Sequence, residues 1–286
     1  MAVALQDRFS KIVDAKLRYS LVQRDGAIWN KKYEGDPKAG AVKVPVRDTE
    51  VAVGQYNKQT GAQKTFAAGS YLTVTIDKDY AVNEVIDGYE ADAVPDNLVA
   101  DRLDSAGYAL ALQMNSDGTK ELVDAGTADA NTTALTKTTV YDAFVDARKY
   151  LSKKKVPLAG RFALVTPEVF ALLLKSPEFI KASALGDAVV QTGAVGSIAG
   201  FTIYEDATLS DVKKAVGEEG SQTQNTVEFV CGHPDWCCRI DEWQKDVHLQ
   251  SLDGSGTFIG ASAVQGRKIY AHKVTKGETV LVKTAA

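Results

Sequence analysis

The stretch from Gly160 to Leu209, GRFALVTPEVFALLLKSPEFIKASALGDAVVQTGAVGSIAGFTIYEDATL, constrains the chain most, because its structure signals are dense and come in a fixed order. Arg161 to Val165 is a short apolar run that stops at Thr166-Pro167-Glu168. A threonine there can accept from orphan amides and a proline suits the first helical position, so a strand is predicted to feed directly into a helix. Val169, Phe170, Leu173 and Leu174 recur at helical spacing, and Ser176-Pro177-Glu178 repeats the start signal for a second short helix. Gly193, Gly196 and Gly200 then punctuate a turn into the strand Phe201-Thr202-Ile203-Tyr204. The sum is a rigid α/β unit with no visible reaction centre.

The flanking segments are thinner. Leu5, Phe9, Ile12, Val13, Leu17 and Leu21 recur at mixed spacings of three and four, which suits an amphipathic helix or a packed arm ending near Trp29. Val42, Val44 and Val46 alternate with Lys43, Pro45 and Arg47, and Pro45 marks an edge strand. Leu72, Val74 and Ile76 alternate with Tyr71, Thr73 and Thr75, so the two runs are predicted to pair as a long hairpin whose exposed tip is the polar stretch Gly54 to Thr65. Val94 to Met114 has the pattern of a long helix, with Pro95 in its first turn and Leu98, Val99, Leu103, Ala106, Leu110 and Met114 on one stripe. The small residues from Ser116 to Lys137 predict a loop. Val140 to Lys153 predicts a helix with Val140, Phe144, Ala147 and Leu151 inward, closed by Lys153-Lys154-Lys155 and Pro157. Asp211 to Asn225 predicts an exposed loop, and short strands are expected at Thr226 to Cys231, Asp246 to Leu252, Arg267 to Lys273 and Glu278 to Lys283.

Bulk properties exclude several classes. A net charge of -4 argues against tight nucleic-acid binding over the whole surface. Asp7, Arg8 and Lys11 interrupt the region a signal peptide would need, and no apolar run approaches the roughly 18 residues of a membrane span. These readings predict a soluble protein made in a cytoplasm, with no membrane contact. Three cysteines without framework spacing are expected to be reduced thiols.

Candidate chemistry concentrates in CGHPDWCC, Cys231 to Cys238. A zinc site wants two separated ligand pairs, and adjacent Cys237 and Cys238 point to opposite sides of any strand. The competing reading is buried thiols beside a turn through His233-Pro234. A cysteine nucleophile would need His233, His248 or His272 close by, with no local motif to support it. GAVGSIAG precedes a strand, the wrong order for a dinucleotide fingerprint. No catalytic residue, cofactor or metal ligand is assigned.

Taken in order, these elements resemble the tailed-phage major capsid proteins. RFALVTPEVFALLL followed by GAVGSIAGFTIYEDATL is similar to that family's central pattern. GDPKAGAVKVPV, then VTIDKDYAVNEVIDGYEADAVPDNLVADRLDSAGYALALQM, resembles its extended loop and a strand leading into its spine helix. VEFVCGHPDWCCRIDEWQ and FIGASAVQGRKIYAHKVTKGETVLV resemble its closing section. The resemblance implies an α+β, Hong Kong 97-like capsid fold: an N-terminal arm at 1–38, an extended hairpin at 39–88, a peripheral domain with spine helix and following loop at 89–137, an axial domain at 138–243, and C-terminal strands at 244–286 returning to the peripheral domain.

Its implied function is a major capsid protein of a tailed double-stranded DNA phage, assembling as hexamers and pentamers into an icosahedral shell. Partners would be other copies, a portal, separate scaffolding or decoration proteins, and packaged DNA held by weak non-specific contact. The site of action would be the virion, after assembly in the bacterial host cytoplasm. A chain beginning at the arm implies a separate scaffold or none. Tyr56, Asn57, Lys58, Gln59 and Lys64 at the hairpin tip are the candidate intersubunit contacts, with no crosslink assigned to Lys58 or Lys64. Two other readings are an encapsulin-like cargo shell and a cysteine- or metal-dependent enzyme built on Cys231 to Cys238.

Overall fold

A computed structural model describes residues 16, 18–23, 25–33, 40–46, 53–61, 69–93, 97–177, 196–217 and 222–286. The N-terminal periodicity before residue 16, the second helix start beyond Pro177, Gly193 and Lys64 lie outside these residues.

The axis of the molecule is helix α2, Leu98–Ala125. At 1.5 Å per residue it is roughly 42 Å long. It runs past Met114 to Ala125 and corrects the first part of the loop predicted over Ser116 to Lys137. The apolar stripe gives way there to small and polar residues, but Asn115, Gly118, Thr119, Leu122 and Val123 are buried. The helix continues because this second face meets other chain segments, a tertiary cause that periodicity does not report.

The two halves of α2 serve two sheets. The N-terminal half lies on a three-stranded antiparallel sheet of β3 (Lys78–Asp87), β10 (Cys237–Ser251) and β11 (Ala261–Val274), in the order β10-β11-β3. Leu98, Val99, Leu103 and Ala106 pack there against Val82, Ile86, Val247 and Val264. The short helix α1, Gly88–Ala93, joins β3 towards α2. The C-terminal half lies on a seven-stranded sheet of β4 (Thr127–Ala128), β5 (Phe162–Val165), β6 (Ser197–Ile198), β7 (Phe201–Glu205), β8 (Lys213–Val216), β9 (Thr223–Gly232) and β12 (Leu281–Ala285). Its order is β4-β12-β9-β5-β7-β6, with β8 on β9. The last strand, β12, therefore sits beside β9, whereas β10 and β11 sit with β3.

Helices α3 (Val140–Lys153) and α4 (Pro167–Leu174) cover the opposite face of the seven-stranded sheet. In β5, Ala163 and Val165 face these helices while Phe162 and Leu164 face α2, so all four are buried. This is the continuous apolar run expected of a strand covered on both sides. Phe144 of α3 stacks on Phe229 of β9 at 4.5 Å between ring centroids. The predicted start of α4 is as read: Val169 N–H donates to Thr166 Oγ1 at 3.4 Å, with Pro167 in the first turn. The glycine turn before β7 is a two-residue hairpin with Ala199 at φ 50° and Gly200 at φ 86°, the paired positive values such tight turns favour. The predicted loop at Asp211 to Asn225 is corrected in part, since Lys213–Val216 forms β8 against the start of β9. Two lysines in four residues hid that strand.

Cationic side chains close two helix ends. Lys214 Nζ donates to the carbonyls of Val123, Asp124 and Gly126 at 2.6, 2.9 and 2.7 Å, where the α2 dipole is negative. The buried Arg161 guanidinium donates to the carbonyls of Pro157, Arg148 and Val156 beyond and within the last turn of α3. Burial lowers the pKa of both groups below the ordinary values.

Two glycines in α2 separate propensity from packing. A methyl at Gly107 meets nothing within 4 Å, whereas one at Gly118 would overlap Gln23 Oε1 and approach the Trp29 ring at 3.2 Å. Gly107→Ala should therefore stabilise the subunit by about 0.5–1 kcal/mol, the intrinsic helix preference for alanine. Gly118→Ala should destabilise it by about 1–3 kcal/mol through overpacking. Denaturant unfolding of unassembled subunit measures both, and equal effects of the two changes would refute the packing account.

Candidate functional site

The sequence places candidate chemistry at Cys231 to Cys238 and candidate contacts at the hairpin tip, and the fold treats the two very differently. His233 Nδ1 accepts from Asp235 N–H at 3.2 Å and opens a short 3-10 turn, Pro234–Trp236. Beyond it Cys237 and Cys238 begin β10 and point to opposite faces: Cys237 packs with Trp29 and Val274, Cys238 with Val44 and Ile240. Cys231 belongs to a third cluster, with Phe229 and Val165.

All three thiols are free and buried. Burial pushes Cys231 up to about 12, Cys238 up to about 11, and Cys237 higher still. A thiolate is the nucleophile and the metal-binding form, and burial of each sulfur disfavours it. His272 is pushed the other way, down to about 3, by burial and by the neighbouring Arg239 charge. It is a neutral packing element between Trp29, at 4.5 Å, and Tyr270, at 5.4 Å. The three thiols sit in three separate clusters and do not converge on one site. Among the described residues no group of three or more His, Cys, Asp or Glu is arranged to hold a metal ion.

The hairpin is built as two parts. At its base β1 (Ala41–Val46) pairs antiparallel with β2 (Ser70–Thr75), Val42 opposite Val74 and Val44 opposite Leu72. Val44 and Val74 are buried against Cys238, Ile240 and Ala271, so this ribbon is held by the outer face of the three-stranded sheet. At the tip, Asn57 and Gly61 exchange backbone hydrogen bonds of 3.3 and 2.8 Å, and Asn57 Oδ1 accepts from Gln59 N–H at 2.8 Å. This makes a local turn that presents Tyr56, 73% exposed, together with Asn57, Lys58 and Gln59.

Sequence reasoning missed a second exposed apolar feature, at the end of the three-stranded sheet. The turn between β10 and β11 leaves Ile259 95% exposed, and Tyr89 at the start of α1 is 82% exposed. Gly88 and Gly260 approach so closely that a side chain on Gly88 would overlap the Gly260 carbonyl, which brings these two segments together. The available signal was Phe258-Ile259 flanked by Gly254, Gly256 and Gly260, large apolar residues in a turn rather than a strand.

The N-terminal segment crosses the molecule on the other side. Gln23 and Trp29 enter a buried polar cluster with Asn115 and Thr119 of α2 and with Asp206 and Thr208 after β7. Asn30 then bridges to the edge of β10 that β11 leaves unpaired, donating N–H to the Cys237 carbonyl at 2.8 Å and accepting from Arg239 N–H at 2.9 Å. Lys31 pairs with Asp25 at 3.0 Å and Asp241 at 2.8 Å. Burial opposes ionisation of Asp241, but the Lys31 hydrogen bond with the Lys268 and Arg239 charges holds its carboxyl below the usual range. Gln23, Trp29, Asn30 and Lys31 thus tether the N-terminal segment to α2 and β10.

Comparison with known proteins agrees. A family described as "Phage capsid protein" matches residues 56–234 of the sequence. No curated protein sequence matches. Among solved structures, one from Mycobacterium phage Che8 superposes with a TM-score of 0.77 at 19% identity, over 98% of this chain and 96% of that one. The capsid of cyanophage P-SCSP1u gives 0.79 at 14% identity, over 98% and 93%. The mature capsid of bacteriophage PhiM1 gives 0.74 at 15% identity, over 99% and 92%. The chain thus belongs to the phage capsid protein family, carries its Hong Kong 97-like fold, and has its place in the shell of the virion.

Proposed function

We propose that this chain is the major capsid protein of a tailed double-stranded DNA phage, and that many copies assemble as hexamers and pentamers into one icosahedral shell. The observation that carries this reading is the combination of the family match with a subunit whose projecting parts are exposed polar and apolar surfaces rather than pockets with reactive groups. Tyr56, Asn57, Lys58, Gln59 and Lys64 are assigned as contacts to a neighbouring copy, with the Tyr89 and Ile259 end of the three-stranded sheet as a second contact. A two-stranded ribbon is marginal in water by itself. Its base is anchored within the subunit, which leaves the tip free to be covered by another.

The domain division follows the same reading. Residues 1–38 serve as the arm, 39–88 as the extended hairpin and its continuing strand, 89–137 as the spine of the peripheral domain, and 138–243 as the axial domain. Residues 244–286 serve as C-terminal strands returning to the peripheral domain; β11 and the part of β10 from Gln244 onward lie in the sheet with β3, whereas β12 pairs with β9. Portal, scaffolding and decoration proteins are the expected partners in assembly. Packaged DNA would meet a subunit of net charge -4 only through weak, salt-sensitive contacts. The role is structural, without catalysis.

Removal of residues 54–65 should leave a folded subunit, by circular dichroism and unfolding midpoint, that no longer forms closed particles in negative-stain images. Loss of folding would argue that the tip belongs to the subunit's own core. The absence of catalytic thiols is checked with a thiol-reactive disulfide reagent. Native protein at neutral pH should react at none of its three cysteines and denatured protein at all three. Fast reaction at one cysteine in the native state would reopen a nucleophile.

A further inference from the structure

The N-terminal segment follows α2 in step, and its two halves are held by different physics. Lys16 pairs with Asp101 at 2.6 Å. Arg18 pairs with Asp104 at 2.5 Å and lies over the Tyr108 ring, 4.8 Å from its centroid. Tyr19 N–H donates to Tyr108 Oη at 2.7 Å. Lys16 and residues 18–20 are exposed, and Leu21 and Val22 are half-buried. From Gln23 the character changes: Gln23, Ile28, Trp29 and Asn30 are buried, and hydrogen bonds join Gln23 to Asn115 and Thr119.

We infer that Lys16 and residues 18–21 form an electrostatic strap on α2 that releases as its own unit, hinged at Leu21 and Val22, while the anchor from Gln23 to Asn30 stays closed. Exposed ion pairs are weak and are screened within about 10 Å at 0.1 M salt and about 3 Å at 1 M. The anchor also carries ion pairs of Asp25 with Lys31 and with the buried Arg239, but its buried side chains and its backbone hydrogen bonds to β10 respond far less to salt. Ionic strength therefore separates the two halves. Release uncovers Asp101, Asp104 and the Tyr108 ring, an acidic and aromatic strip on the outside of the helix. The inference concerns the isolated subunit and stands apart from the shell reading.

Hydrogen exchange of unassembled subunit tests it, read at Tyr19 and over residues 26–30 in low salt and in about 1 M sodium chloride. The expected result is roughly tenfold faster exchange at Tyr19 in high salt, with residues 26–30 and α2 unchanged. The double substitution Lys16→Gln with Arg18→Gln should give the same acceleration in low salt and remove the salt response. Equal acceleration of residues 26–30 would show one cooperative arm and overturn the proposal. Exchange at Tyr19 that ignores both salt and the double substitution would overturn it as well.

Discussion

The fold depends on one buried carboxylate. Asp206, fully enclosed, accepts from Thr208 N–H at 3.0 Å and Thr208 Oγ1 at 2.6 Å, from Asn115 Nδ2 at 3.3 Å and from Gln23 Nε2 at 3.3 Å. Its own N–H donates to the Val165 carbonyl at the end of β5. Three distant parts of the chain thus converge on one side chain: the N-terminal segment, the middle of α2 and the loop leaving β7. The donors are neutral and point inward, so the group is satisfied without a partner cation. Removing any one donor would leave a buried acceptor short, at about 1–3 kcal/mol. Trp29 completes the cluster by donating Nε1–H to Gln23 Oε1 at 2.9 Å.

This junction explains why α2 can serve two sheets at once. Its N-terminal half is held by ordinary aliphatic packing under the three-stranded sheet, and its C-terminal end by Leu122 and Val123 under the seven-stranded sheet. Between the two, the helix has small and polar residues, and hydrogen bonds hold it there. Gly118 fits that stretch because the arm lies directly on the helix backbone. The Lys214 amine then closes the helix end, from a strand of the same sheet that the helix supports.

Local signals carried much of this into the sequence. Thr166-Pro167 marked the α4 start, the alternation around Val44 and Val74 marked two strands that pair, and the adjacency of Cys237 and Cys238 implied opposite faces. The extension of α2 beyond Met114 was illegible for a physical reason. Asn115 and Thr119 read as loop residues until Gln23 and Asp206, both about ninety residues away, are placed beside them. The strand at Lys213–Val216 was hidden in the same way, since Lys214 looks solvated until the α2 carbonyls are set around it. At the candidate site, the hairpin tip was visible as a polar, glycine-bearing stretch. The apolar end at Tyr89 and Ile259 was not, because it arises from two segments joined only in the fold.

One strand links the arm, the hairpin base, α2 and β11. β10 runs fifteen residues, roughly 50 Å, from the Cys237 end beside the arm and the hairpin base to Ser251 at the exposed tip. Its pairing with β11 shifts register twice, between Asp241 and Trp243 and between Lys245 and His248. Such bulges concentrate twist and bending at fixed points. The inner end of β10 is held by the arm and the hairpin base, and its outer end leaves at an angle fixed by the two bulges.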